Sequence, residues 1–344
     1  MTPHVCLRQI FFLSATLCFA GSFCLPAQAA EVRTRKKPSI CKPCIQADMN
    51  FLASDELRGR GSGTREEHLA ALFIASQFAG FGLEPGGDSG SFLQKAPLPS
   101  PMPGPVQKRL QAYESVQRTE TWNVVGILRG SRSRKDEEAI LLTAHLDHLG
   151  VGTNLKGDSI YNGADDDASG TTAVLELARA LTKRKRPHRT ILFVLFGSEE
   201  LGGFGNDYFL KHPPIPLDRI VANLEFEMIG RLDPEIPANS VWMTGYERSD
   251  LGAELSKHGA NIVADPRPKQ KFFQRSDNYA LAKQGVVAHT ISSFGLHSDY
   301  HQPSDDLSHI DFTHMSEVIS SMLKPIEWLA NTQWKPAWNV GGKP

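Results

Sequence analysis

The sequence predicts an α/β protein, a three-layer α/β/α sandwich around a central mixed, largely parallel sheet. Three observations predict it. Runs at residues 139–144 (AILLTA) and 190–196 (TILFVLF) are apolar at nearly every position, as strands buried on both faces are. Stretches with helical periodicity lie between such runs, and alternation of strands with helices produces parallel sheets. Several runs end abruptly in His or acidic residues, at the strand ends where open α/β sheets build their sites.

The N-terminal residues are read as a leader. Arg8 precedes an apolar run over residues 10–25, and Ala27-Gln28-Ala29 is a small-x-small cleavage site. This is a secretory signal peptide pattern ending at residue 29, so the protein is expected to be exported, to the periplasm or beyond. A basic linker over residues 30–40 follows. Cys6, Cys18 and Cys24 leave with the leader. Cys41 and Cys44 remain as a C-x-x-C pair, for which a local disulfide suits an exported protein. A redox role would want the pair to follow a strand and open a helix.

Residues 49–57 read as a helix end and 58–64 as a Gly/Ser/Arg loop. Thr64 can cap the next helix, with Glu66 and Glu67 in its first turn, and residues 80–82 stop it. Residues 86–105 are rich in Gly and Pro and read as loop, with an edge strand at 91–93. Strands are expected at 122–128, 139–144, 190–196, 220–228, 241–244 and 286–292. Helices are expected at 169–185 with Ser169 as N-cap, at 201–211, 251–258 and 276–283, and at 311–331 with a kink near Pro325. There is no internal repeat, and 41–332 reads as one catalytic domain with a C-terminal tail at 333–344.

The chain carries a formal net charge of -1 with 40% hydrophobic and 22% charged residues. That balance fits a soluble globular protein and offers no basic patch for nucleic acid. Beyond the leader, no segment is apolar for long enough to span a bilayer.

The chemistry gathers at strand ends. AHLDHLG delivers His145 and Asp147, and NGADDDASG delivers Asp165, Asp166 and Asp167. FGSEELGG carries Glu199 and Glu200, EMIGR begins with Glu227, and SDYHQPSDD carries Tyr300, His301 and Asp305. His145, Asp166, Glu200, Glu227 and His301 form a nitrogen and oxygen set of the kind zinc hydrolases use. Five such donors exceed one tetrahedral zinc with an open position and suit two metals that share a carboxylate.

The order of these five motifs resembles the co-catalytic zinc exopeptidase family that includes secreted bacterial leucyl aminopeptidases and glutamate carboxypeptidase. LASDELRGRGSGT and GFGLEPGG resemble that family's N-terminal part, so the likeness spans about residues 45–329. The resemblance implies two zinc ions per chain, with manganese or cobalt as substitutes. His145 and Glu227 would hold one, Glu200 and His301 the other, and Asp166 would bridge them. Asp147 would orient His145, and Asp305 would do the same for His301. Glu199 would be the general base and acid, and Tyr300 would hydrogen-bond the developing oxyanion. The Asp166-Asp167 peptide would be cis.

The family more often carries Asp where Glu227 stands, and in related proteins Glu accompanies carboxypeptidases. The leading expectation is an exported aminopeptidase acting on peptides. The alternatives are a carboxypeptidase or dipeptidase on the same site, a single-zinc glutaminyl cyclase, and a non-catalytic binding protein. His148, His188, His212, His258, His289, His297, His309 and His314 are read as structural or surface residues. Asp277 is a candidate for substrate contact, with Ser276 as a helix cap.

Overall fold

The computed structural model describes residues 39–155 and 157–344, so the leader and most of the expected linker lie outside the described residues. Cys41 and Cys44 are joined by a disulfide at the start of α1 (Lys42–Leu52), where Cys41 is the N-cap. Thr64 caps α2 (Arg65–Phe81) by accepting the Glu67 amide, and left-handed Gly82 ends it. Two short strands follow, β1 (Glu84–Pro85) and β2 (Leu93–Pro97). Part of the stretch read as loop is helical: α3 (Gly104–Leu110) starts where Pro105, at the first turn, is pre-set for a helix.

The centre is built from β3 (Glu120–Leu128), β4 (Ala139–His145) and, after the hairpin β5 (Gly150–Leu155) and β6 (Asp158–Tyr161), the helix α4 (Gly170–Thr182) and β7 (Thr190–Phe196). Next come α5 (Phe204–Lys211), β8 (Ile220–Phe226), β9 (Val241–Met243), α6 (Leu251–Lys257) and β10 (Ile262–Ala264). The chain closes with α7 (Asn278–Lys283), β11 (Ala288–Ser292) and α8 (Phe312–Asn331), which continues through Pro325. Among the described residues no helix is long and apolar enough to cross a membrane.

Nine strands form one sheet in the order β1-β3-β7-β4-β8-β11-β9-β10, with β2 beside β3. The inner block β7-β4-β8-β11 is parallel, while β3 and β9 join it antiparallel. The period-2 alternation of a strand explains the continuous apolar runs. On β4, Ile140, Leu142 and Ala144 face a core shared with α1, α2, α4 and α8. Ala139 and Leu141 face the opposite core, shared with α5 and α7. Both faces are covered, so both sets are largely apolar, and buried Thr143 is satisfied by accepting the Asn223 side-chain amide at 2.9 Å.

Ser169 does not cap α4. It already has helical backbone angles, because the preceding turn runs into the helix, and its hydroxyl donates to the Asp165 carbonyl at 2.8 Å. Ser276 does not cap α7 either. Its hydroxyl donates to buried Glu225 at 3.0 Å.

Candidate active site

The parallel block sends three strand ends to one edge of the sheet. His145 ends β4, opposite Phe196 at the end of β7, and Glu199 and Glu200 follow on the next turn. Glu227 follows β8 directly, and its amide donates to Ile291 of β11 at 3.1 Å. Asp166 comes from the turn before α4, and its peptide bond to Asp167 is cis.

The DDD run divides its work. Asp165 accepts the Gly230 amide at 2.7 Å, and Asp167 accepts the Met228 amide at 3.1 Å and the Gly170 amide at 2.9 Å. The two outer carboxylates thus fasten the EMIGR turn and the α4 start. Asp305 accepts the Asp165 and Asp166 amides at 3.1 and 3.0 Å. It was expected to orient His301, but among the described residues no hydrogen bond joins the two. Asp305 positions the backbone that carries Asp166 instead. Asp166 itself is left facing the histidines.

His145 Nε2 lies 3.1 Å from Asp166 Oδ1, and His301 Nε2 lies 3.1 Å from both Asp166 Oδ2 and Glu200 Oε1. Asp147 reaches His145 less directly than expected. Its backbone carbonyl is 3.2 Å from the ring Nδ1 and its carboxylate 3.8 Å. That carboxylate accepts the Glu199 and Glu200 amides at 3.0 and 3.3 Å, which fixes the turn carrying both acids. Glu67, wholly buried, accepts the Ser198 amide at 3.2 Å and supports the same turn from beneath.

His148 does not face solvent or pack passively. It is fully buried, with Nδ1 3.1 Å from Glu200 Oε1. The cause is non-local: the His148 amide donates to Arg60 and its carbonyl accepts from Ser62, so the 58–64 loop turns it inward. In the sequence Arg60 stands out only as part of that loop. It is buried and donates to the carbonyl of Leu52 at the end of α1 and to those of Leu146, Asn162 and Gly163, in the segments that carry His145, Asp147 and Asp166. Burial draws its pKa down to about 10, while Asp147, Asp167 and Asp305 oppose that and keep it charged. Arg58, Gly59 and Arg60 all have left-handed backbones. At Gly59 a Cβ would lie 2.3 Å from the Tyr161 carbonyl, so only glycine fits there.

The electrostatics follow from burial of many acids. Burial raises the pKa of Glu199 well above the ordinary range, with Glu200, Asp277 and Glu227 adding to it and His145 opposing. Glu227 is raised for the same first reason. Burial would also raise Glu200, but His301 and His148 together outweigh it and hold Glu200 down at about 2. Burial would lower His301, yet Glu200 and Asp166 hold it up at about 10. Burial, followed by the surrounding carboxylates, raises the Tyr300 phenol.

Among the described residues two donor groups can hold a metal ion: His145, Asp166 and Glu227, and His148, Asp166 and Glu200. Asp166 belongs to both. In each, one ligand atom per residue lies within 4.8 Å of the others. The Nε2 of His145, both ring nitrogens of His148, Oδ2 of Asp166 and Oε1 of Glu200 are buried and, although 3.1 Å contacts join several of them, none has the geometry of a hydrogen bond among the described residues. Buried polar atoms without partners are costly. Here they converge on common points, so the residues present fit divalent cations. Glu199 is in neither group. It lines a cavity with Asp207 and Asp277, and the Oδ2 of Asp277 is buried without a partner among the described residues. Beside Glu227 and Tyr300 a second pocket opens, walled by Trp242, Phe272 and Phe294, which no sequence motif marks.

The sequence profile of peptidase family M28 matches residues 123–325. Aminopeptidase YwaD of Bacillus subtilis is 32% identical over 203 residues, which are 57% of this chain and 42% of that relative. The chain therefore spans less than half the length of that relative. A zinc aminopeptidase structure from Bacillus subtilis superposes with a TM-score of 0.63 at 17% identity, covering 87% of this chain and 97% of that one. Porphyromonas gingivalis glutaminyl cyclase superposes at 0.61 and 15% identity, covering 84% and 98%. At these identities the two structures establish the α/β/α fold.

Proposed function

The chain belongs to peptidase family M28, and from that footing we propose that it is an exported aminopeptidase that uses two zinc ions to hydrolyse the N-terminal bond of peptides. The observation that carries the proposal is the pair of convergent donor groups sharing Asp166. In this reading His145 and Glu227 hold one ion and Glu200 and His301 the other, with Asp166 between them and His148 beside Glu200. Zinc ions bound there would supply Lewis acidity, polarising the scissile carbonyl and acidifying water.

The protein's own groups do the rest. Glu199, outside both donor groups and raised in pKa, takes a proton from the attacking water and returns it to the leaving amine. Tyr300, kept protonated, donates to the oxyanion. Asp277, whose Oδ2 is buried without a partner among the described residues, suits a free α-ammonium group in the adjoining cavity, which Asp207, Arg275 and Lys283 also line. That favours recognition of an N-terminus although Glu227 stands where Asp is commoner. Export rests on the pattern of residues 1–29, and the Cys41–Cys44 disulfide suits an oxidising compartment.

The test is hydrolysis of one peptide in N-terminally free and N-acetylated forms. The proposal expects cleavage of the free form alone, abolished by a chelator and restored by zinc. Residues released from the C-terminus of the acetylated form would make it a carboxypeptidase. Cyclisation of an N-terminal glutamine without hydrolysis would make it a cyclase.

A further inference from the structure

The pocket beside Glu227 has an uneven lining. Alternation along β9 sends Val241 and Met243 into the core and turns Trp242 and Thr244 to the pocket. Across the β9–β11 pair, Trp242 lies opposite Ser292. Phe272 and Phe294 form an apolar collar, with Trp242 and Phe272 ring centroids 5.1 Å apart and those of Phe272 and Phe294 6.0 Å apart. A purely apolar pocket would suit an aliphatic side chain. This one also carries hydrogen-bond donors.

The indole Nε1–H of Trp242 is buried and has no acceptor among the described residues, although the residue is only 2% exposed. Thr244 Oγ1 accepts the Thr290 amide at 3.0 Å, and its hydroxyl proton remains to be donated. The Thr290 and Ser276 hydroxyls, by contrast, are committed to Glu225. Arg275 also lines the pocket. It is exposed, its guanidinium lies 4.9 Å from the Phe272 ring centroid, and it makes no ion pair among the described residues. Buried donors seek acceptors, and an aliphatic side chain offers none.

We propose that this pocket selects a substrate N-terminal residue whose side chain has a methylene stem and a carbonyl-oxygen tip. The stem lies in the aromatic collar, the Trp242 indole N–H donates to the tip, and Arg275 favours a carboxylate over a carboxamide. The inference rests on the aminopeptidase reading, since Glu227 and Tyr300 line the same pocket and place it beside the scissile carbonyl.

Glutamyl, glutaminyl and leucyl p-nitroanilides test it through kcat/KM. Both acceptor-tipped substrates should exceed the leucyl one by at least about tenfold, because a donor left unpaired penalises the wrong side chain. Trp242→Phe keeps the aromatic wall and removes the N–H, so it should bring the glutamyl-to-leucyl ratio close to one. Arg275→Gln, at an exposed position, should lower the glutamyl-to-glutaminyl ratio and serves even if Trp242→Phe does not fold. A faster leucyl substrate, or ratios indifferent to both variants, overturns the pocket assignment and leaves the aminopeptidase standing. If no anilide turns over, the aminopeptidase reading fails. Calorimetry with free glutamate and free leucine on the zinc-loaded protein then decides the pocket alone: tighter glutamate supports it and tighter leucine overturns it.

Discussion

The two ends of β4 and β7 carry charge in opposite ways. At their N-terminal ends, wholly buried Arg189 meets Glu138 at 2.9 Å and donates to the Leu329 and Trp334 carbonyls at 2.7 and 3.0 Å. Glu138 also meets Arg132 and Lys335, while Glu137 pairs with Arg129 and accepts the Thr190 hydroxyl. At the C-terminal ends carboxylates crowd together, and several buried nitrogens and oxygens lack partners among the described residues. The same strands in the same sheet are satisfied in opposite ways: one end is closed by its own hydrogen bonds, and the other offers converging donor groups to a metal ion. The first end is built for stability and the second for chemistry.

Changes at the two ends should therefore separate activity from stability. The largest effect is expected from Glu199→Gln, which should lower kcat by about 10²- to 10⁴-fold. Metal content by mass spectrometry should stay at the wild-type value. Loss of metal instead would mean that Glu199 is a ligand and would erase the distinction drawn between it and Glu200.

Arg189→Leu should do the reverse. It leaves one buried and one half-buried carbonyl without their donor and removes a charge partner, for a loss of about 2–3 kcal/mol in denaturant unfolding. Metal content and kcat should hold. A fall in kcat with unchanged stability would show that the two ends are not separable.

His289 provides a pH test away from the donor cluster. It is buried between Ser249 and Thr244, and burial lowers its pKa to about 4. The unfolded chain, with an ordinary histidine near 6.5, binds a proton before the folded one does. Its contribution is complete above 6.5 and is lost as pH falls towards 4, amounting to about 3 kcal/mol. Thermal melts of wild type and His289→Gln across that window should differ in slope. Equal slopes contradict the assignment.

The smallest effect is expected at the half-exposed Arg58–Glu114 pair, 2.7 Å apart. Glu114→Gln should shift stability by less than about 1 kcal/mol. A larger loss would mean that the loop carrying Arg60 depends on that pair.

What the sequence makes legible follows from how local each feature is. The runs 139–145 and 190–196 are readable because burial on both faces makes nearly every position apolar. His145, Asp166, Glu200, Glu227 and His301 are grouped by the family order of five motifs; only His145 and Glu227 sit directly at strand ends, and turns bring the others beside them. His148 is not readable. A DH dipeptide after a strand does not say which residue turns inward, and here the 58–64 loop decides it. Arg60 is hidden likewise, since its four carbonyl partners come from three distant segments. Ser276 has the look of a cap, but buried Glu225 is a stronger competitor for its hydroxyl. The Trp242 pocket joins β9, β11 and the 272–276 turn, which nothing in the linear order brings together.

The central claim is that Asp166 is shared by two cations. The most direct measurement is zinc per chain, by mass spectrometry after zinc loading and desalting, for wild type and for Asp166→Ala with its fold checked by circular dichroism. The account predicts two zinc ions in the wild type and none tightly held in the folded variant. One tightly held zinc in that variant, or a single zinc in the wild type, would contradict it.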